Sequence, residues 1–204
     1  SGLHPIVCML GAGIVGAFLG SIPAIMKVKF GSSEVVTGIM LNYILLYLLQ
    51  YFTMYTFRGS DFTPSTVEIF SSAKIARVSS TAQWSYTFFI AITFCFLFQY
   101  IMNRTRLGLE MKSAGYSPLA SRYQGINVKS RAVLAMLIGG AIASLGGSLE
   151  VLGGRYLFID SYFESYGFDG IAVSYMARNN PVAIIFTSIL VASLKVGAIA
   201  LDRS

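Results

Sequence analysis

Residues 3–26 contain no Asp, Glu, Lys or Arg, and neither do residues 35–57, 84–102 or 132–149; residues 181–201 contain one charge, Lys195. A helix of roughly 20 mainly apolar residues crosses the hydrocarbon layer of a bilayer, which is about 30 Å thick. Each of the five stretches is long enough for that. A chain that is 55% hydrophobic and 12% charged, with a mean hydropathy of +0.67, cannot cover a core with a soluble surface. The predicted fold class is an all-α integral membrane protein. It is a multi-span helical bundle of about five spans (3–26, 35–57, 84–102, 132–149 and 181–201), read as a single transmembrane domain over residues 1–204.

Charge sets the orientation. The formal net charge is +6, but the basic residues fall in the gaps between apolar runs rather than along one polar face, which argues against a nucleic-acid partner and for lipid headgroups. Residues 103–131 hold Arg104, Arg106, Lys112, Arg122, Lys129 and Arg131 against one acid, Glu110. Positively charged short loops stay inside the cell, so this loop is predicted to be cytoplasmic, as are Lys27 and Lys29. The loop 58–83, with Arg58, Lys74 and Arg77 against Asp61 and Glu68, is then external. So is 153–180, with Arg155 and Arg178 against Asp160, Glu164 and Asp169. Cys8 and Cys95 fall in separate spans and predict no structural disulfide. The chain begins at Ser1 and stops soon after its fifth span, which predicts an internal fragment of a longer membrane protein.

The spans differ in character. Small residues let membrane helices approach closely. The first span repeats Ala12, Gly16, Gly20 and Ala24, and the fourth carries Gly139, Ala143 and Gly147 beside Gly140, Ser144 and Ser148. Both are predicted to be gripped by other helices. The second span repeats Tyr43, Tyr47, Tyr51 and Tyr55, flanked by Asn42 and Gln50, which fits either interfacial packing or one wall of a solute pathway. Trp84, Tyr86 and Tyr100 read as an aromatic belt.

Within the cytoplasmic loop, Ser117 followed by Pro118 is a helix start: a side-chain acceptor at the cap, then a ring that already holds a helical φ. Gly125 is the matching stop. The two-turn helix between them presents Leu119, Arg122, Tyr123 and Ile126 on one mixed face. Two turns are too few to stand alone, so the helix rests on its flanking spans or on a partner. Contact with lipid headgroups and docking to a cytoplasmic protein are equally compatible with that face.

Ionisable residues near membrane depth point to function by default. Glu150 closes the fourth span on the external side, and Asp169 precedes an apolar run at 170–177 that is too short to cross. That run is either a surface helix or a re-entrant piece. Glu150 and Asp169 could border an external mouth, or be solvated or paired with a neighbour such as Arg155. Glu34 suits a helix N-terminus, and Lys195 is expected to snorkel to the inner surface.

Four motifs resemble one family. Residues 115–129, GYSPLASRYQGINVK, resemble the coupling segment of bacterial ABC importer permeases of the simple-sugar and nucleoside branch, approximately GENPEAARYAGINVK. Residues 33–44, SEVVTGIMLNYI, resemble its NEVIxTxMLNYI, and 146–153, GGSLEVLG, its LAGxxEVxG. Residues 166–181, YGFDGIAVSYMARNNP, resemble its YGFDGIAVALLGRNNP. Leu119, Ser121 and the Tyr116-Ser117 pair depart from the family pattern, which alters the charge offered to a partner while keeping a cap at Ser117.

The resemblance implies a multi-pass permease subunit of a bacterial cell membrane, moving a nucleoside or simple sugar inward by alternating access. It implies a cytoplasmic ABC ATPase, a second permease subunit and an extracytoplasmic substrate-binding protein as partners, with ATP and Mg used by the ATPase. It also implies that Gly115, Ser117, Pro118, Ala120, Arg122, Tyr123 and Gly125 form the ATPase-coupling segment. A nucleoside base needs an aromatic face, offered by Tyr47, Tyr51 or Phe168. Its ribose needs acceptors such as Asn42 or Glu150, and a sugar needs much the same groups; Asp169 joins the pathway candidates as a residue at the external mouth. The chain has no GxxxxGK[ST] loop for ATP, one histidine (His4) and no metal-spaced cysteine pair, so no cofactor and no enzyme activity are expected of it. The rival is an ion-coupled secondary transporter, in which Glu150 or Asp169 would carry a proton.

Overall fold

The computed structural model describes residues 3–55, 66, 69, 86–158 and 166–202. Arg58, Asp61, Glu68, Lys74, Arg77, Trp84, Asp160 and Glu164 lie outside them, as does the side chain of Arg155. The helices are α1 (Leu3–Phe30), α2 (Glu34–Tyr55), α3 (Thr87–Arg104), α4 (Arg106–Tyr116), α5 (Pro118–Tyr123), α6 (Val128–Glu150), α7 (Tyr166–Met176) and α8 (Pro181–Asp202). A π-helical turn, Val151–Arg155, extends α6. Among the described residues five helices are long and apolar enough to cross a membrane, and they coincide with the five predicted spans. Described residues divide into two units, Ser1–Phe88 with Leu109–Asp160, and Phe89–Gly108 with Ser161–Ser204.

In the first unit α1 runs antiparallel to α6. Gly13 faces Leu145, Gly16 faces Gly140 and Ser144, and Gly20 faces Met136. A Cβ on Gly16 would collide with the Gly140 carbonyl and the Ser144 hydroxyl, and one on Gly20 would stand 2.7 Å from the Met136 carbonyl oxygen. The two backbones touch because Gly16, Gly20 and Gly140 have no side chains to hold them apart, which is how membrane helices gain dispersion contacts that lipid cannot match. Of the two predicted lines on α6, Gly140 and Ser144 make this contact, while Gly139 and Gly147 have open space.

The helix ends follow from local chemistry. Lys27 and Glu34 form a 2.7 Å ion pair across the turn between α1 and α2. The segment after α6 is tied back by Thr66, whose N–H donates to the Phe158 carbonyl at 3.0 Å and whose Oγ1 accepts the Phe158 N–H at 3.1 Å. Pro23 sits inside α1, a place membrane helices tolerate because neighbouring helices and hydroxyls re-satisfy the freed groups.

In the second unit α7 and α8 form a hairpin. Thr187 Oγ1 lies 3.3 Å from the Val173 carbonyl oxygen and shares its proton with the Ala183 and Ile184 carbonyls of its own helix at 3.2 Å, and Val173 and Ala177 are buried at the contact. Arg178 and Asn179 make the turn, with φ of 50° and 58°. Asn tolerates this left-handed region because its side chain bonds locally. Here Asn179 Oδ1 accepts from Ser174 Oγ at 2.9 Å, and Asn180 Oδ1 caps α8 by accepting the Val182 N–H at 3.1 Å, ahead of Pro181. The RNNP motif is therefore a turn-and-cap device.

Candidate functional site

The coupling segment folds as its residues dictate. Ser117 has extended backbone (φ −149°, ψ 96°), and its Oγ accepts the Ala120 N–H at 3.3 Å, with Pro118 as the first helical residue. Gly125 ends α5 with φ +78°, its N–H donating to the Arg122 carbonyl at 3.0 Å. The Ile126 N–H then donates to the Ser121 carbonyl at 2.9 Å, so the chain closes over Ser121, which is only 2% exposed. A buried position this tight takes Ser as it takes Ala, which accounts for the departure there.

The outward face is open. Leu119 is 66% exposed, Tyr123 86%, and Arg122, Pro118 and Ala120 are also exposed, while a Cβ on Gly115 would meet open space. Two features hold this short helix that spacing did not reveal. Asn127 caps α6, its Oδ1 accepting the Ser130 N–H at 3.2 Å. Glu110 of α4 and Arg131 of α6 pair at 2.6 Å, clamping both flanks of α5, and each is about three-quarters covered. The unlike charges in one loop were the only sequence signal for that clamp.

The candidate pathway residues are distributed. Asn42, Tyr47 and Tyr51 belong to α2, Glu150 to α6, and Phe168 and Asp169 to α7. At about 100° per residue, Tyr47 and Tyr51 share a face, while Asn42 lies about half a turn around from Tyr51. One wall therefore cannot hold both, and the α2 geometry separates Asn42 from the tyrosine face. Tyr47 and Tyr51 are exposed, and Tyr51 stacks in a tilted arrangement on Tyr55 at 5.0 Å between ring centroids. Glu150 folds over the π-helical turn, with Oε1 3.0 Å from where a Cβ on Gly154 would stand, so a larger residue there would push the carboxylate aside by a few tenths of an ångström. Single π turns of this kind occur often at functional sites.

The sequence expectation for Lys195 needs correction. It does not snorkel to the inner surface but pairs with Asp169 across the α7–α8 hairpin. A lone charge inside a span asks for a partner, yet no linear spacing says which acid a hairpin will bring to it.

The family described as "Branched-chain amino acid transport system / permease component" matches residues 1–203. The chain belongs to this permease family. Among curated relatives it is 32% identical to a nucleoside ABC transporter permease protein of Lactococcus lactis subsp. cremoris, over 95% of this chain and 56% of the relative. It is 30% identical to a guanosine ABC transporter permease protein of Bacillus subtilis, over 97% of the chain and 58% of that relative. It is 24% identical to a glucose ABC transporter permease protein of Haloferax volcanii, over 95% of the chain and 54% of that relative. The permease chain thus spans about half the length of the curated relatives it matches. No solved structure gives a significant match to it.

Proposed function

We propose that this chain is part of the membrane-spanning permease of an ABC importer that carries a nucleoside or a simple sugar into the cell. Residues 1–204 contribute to one transmembrane permease domain, with residues 103–131 on the cytoplasmic side. The observation that carries this reading is α5, a capped two-turn helix that buries Ser121 and turns Leu119, Arg122 and Tyr123 outward. A headgroup-binding helix has no need of a clamp across its flanks. A lever does, and the Glu110–Arg131 pair provides one.

Closure of a cytoplasmic ATPase on ATP and Mg would push α5, and α6 would carry the movement into the bundle, switching it between outward and inward openings. A second permease subunit would complete the route, and an extracytoplasmic binding protein would deliver the solute. Tyr47 and Tyr51 offer flat faces for a base or sugar ring, Phe168 another, and Glu150 and Asp169 offer acceptors for hydroxyls. The names of the relatives favour nucleosides and also admit a sugar.

The test is co-purification of the assembled permease with its ATPase, with Arg122→Glu and Gly115→Leu as variants. The expected result is association in the parent and loss of both association and uptake in the variants. If no ATPase associates, or if both variants behave as the parent does, docking through α5 is wrong. Uptake that a protonophore abolishes and ATP depletion spares would establish the ion-coupled rival instead.

A further inference from the structure

The Asp169–Lys195 pair has a definite depth. Lys195 lies about 21 Å along α8 from Pro181 at 1.5 Å per residue. Helical side chains lean toward the N-terminus, so its four-carbon stem carries the ammonium back toward the middle of the helix. The Thr187–Val173 contact fixes the register of the hairpin. Beyond it, Asp169 is about 6 Å further along α7 and Lys195 about 12 Å further along α8, a difference the lysine stem spans. The charges therefore meet about 15 Å along α8 from its start, which is mid-depth in a hydrocarbon layer about 30 Å thick when Pro181, the first residue of the span, stands at its edge. Of the two forms open to the short apolar helix, this favours the re-entrant one.

Among the described residues nothing covers the pair completely. The Lys195 and Asp169 side chains keep 48% and 30% of their surface open, between exposed apolar neighbours such as Leu194 and Val196. Charges at mid-depth face a bundle interior or a water-filled cavity rather than lipid tails. A carboxylate only accepts hydrogen bonds and an ammonium only donates them. Together they are neutral, and so they suit a neutral solute with adjacent hydroxyls. A charged solute would strand one partner.

We infer that Asp169 and Lys195 form a mid-membrane contact point for the transported solute, binding a neutral polyol such as a ribose or hexose ring. Adjacent hydroxyls donate to the Asp169 carboxylate while a ring or hydroxyl oxygen accepts from Lys195. The ion pair opens as the solute enters and closes behind it. This rests on the importer reading above and adds Lys195, its depth and the hydroxyl chemistry it selects.

The test is uptake by the assembled transporter of labelled uridine and labelled glucose, each against its dideoxy analogue lacking adjacent hydroxyls. The proteins compared are the parent, Asp169→Asn, Lys195→Gln and the exchange variant D169K/K195D, with each level in the membrane measured alongside. Losing one charged hydrogen bond to the solute should raise the half-saturating concentration about tenfold or more. Asp169→Asn should also lose the preference for the hydroxylated solute. The exchange variant should regain its membrane level without regaining solute affinity, and it carries the comparison if the single variants do not accumulate. An exchange variant that transports as the parent does would make the pair a structural brace, and single variants that match the parent would overturn the inference as well. Those results leave the importer reading standing. A parent that takes up neither solute in an ATP-dependent way removes both.

Discussion

At the scale of single residues, the small groups have unequal weight. Gly16 and Gly140 let two backbones touch, whereas Gly139, one position away on α6, faces open space. Gly16→Val and Gly140→Leu should each destabilise the permease by about 1–3 kcal/mol through overpacking, while Gly139→Ala should be neutral or slightly stabilising. Thermal unfolding in detergent measures the contrast, and equal effects at all three positions would refute the packing account. Ser117→Ala removes the α5 cap at a cost of about 1 kcal/mol. Faster amide exchange at Ala120, with α6 unchanged, is its expected signature.

At the scale of elements, the clamp around α5 makes a sharper claim. Glu110 and Arg131 are only partly solvated, so reversing one charge should weaken coupling strongly and exchanging both (E110R/R131E) should restore most of it. ATP hydrolysis and uptake measured together would show the single variants hydrolysing without transporting. Much of this element was legible in advance: Ser117, Pro118 and Gly125 specify α5 by rules that act within a few residues. The spans were legible too, with ends displaced by a few positions. α1 was predicted to stop at residue 26 and continues to Phe30, because basic residues such as Lys27 and Lys29 in a last turn are favoured by the helix dipole and let the helix outrun its apolar stretch. What spacing could not supply were the pairings made by tertiary approach, Glu110 with Arg131 and Asp169 with Lys195. The RNNP motif shows the converse limit, since it was legible only as part of a family resemblance and its asparagine side chains build a turn and a helix cap. The tyrosines of α2 were visible as a pattern, and the same helical spacing already separates Asn42 from their face.

At the scale of the whole molecule, the alternation of spans predicts which positions each side of the membrane can reach. A cysteine placed at exposed Tyr123 should react with an impermeant thiol reagent in inside-out vesicles and not in intact cells; the reverse would overturn the assigned orientation. The same alternation imposes a timetable on synthesis. Thr66 and Phe158 bond to each other across 92 residues of chain. At about 5–20 residues per second, Thr66 leaves the ribosome on the order of 5–20 s before its partner exists. α1 waits longer still for the glycine face of α6, and for all that time its own Gly16 and Gly20 meet something other than their final mate. Nascent chains arrested before α6 should therefore crosslink through α1 to the insertion machinery, and longer ones should release it. The bare glycines that make the finished contact tight thus also leave an early helix that must be held open by something else until translation supplies its mate.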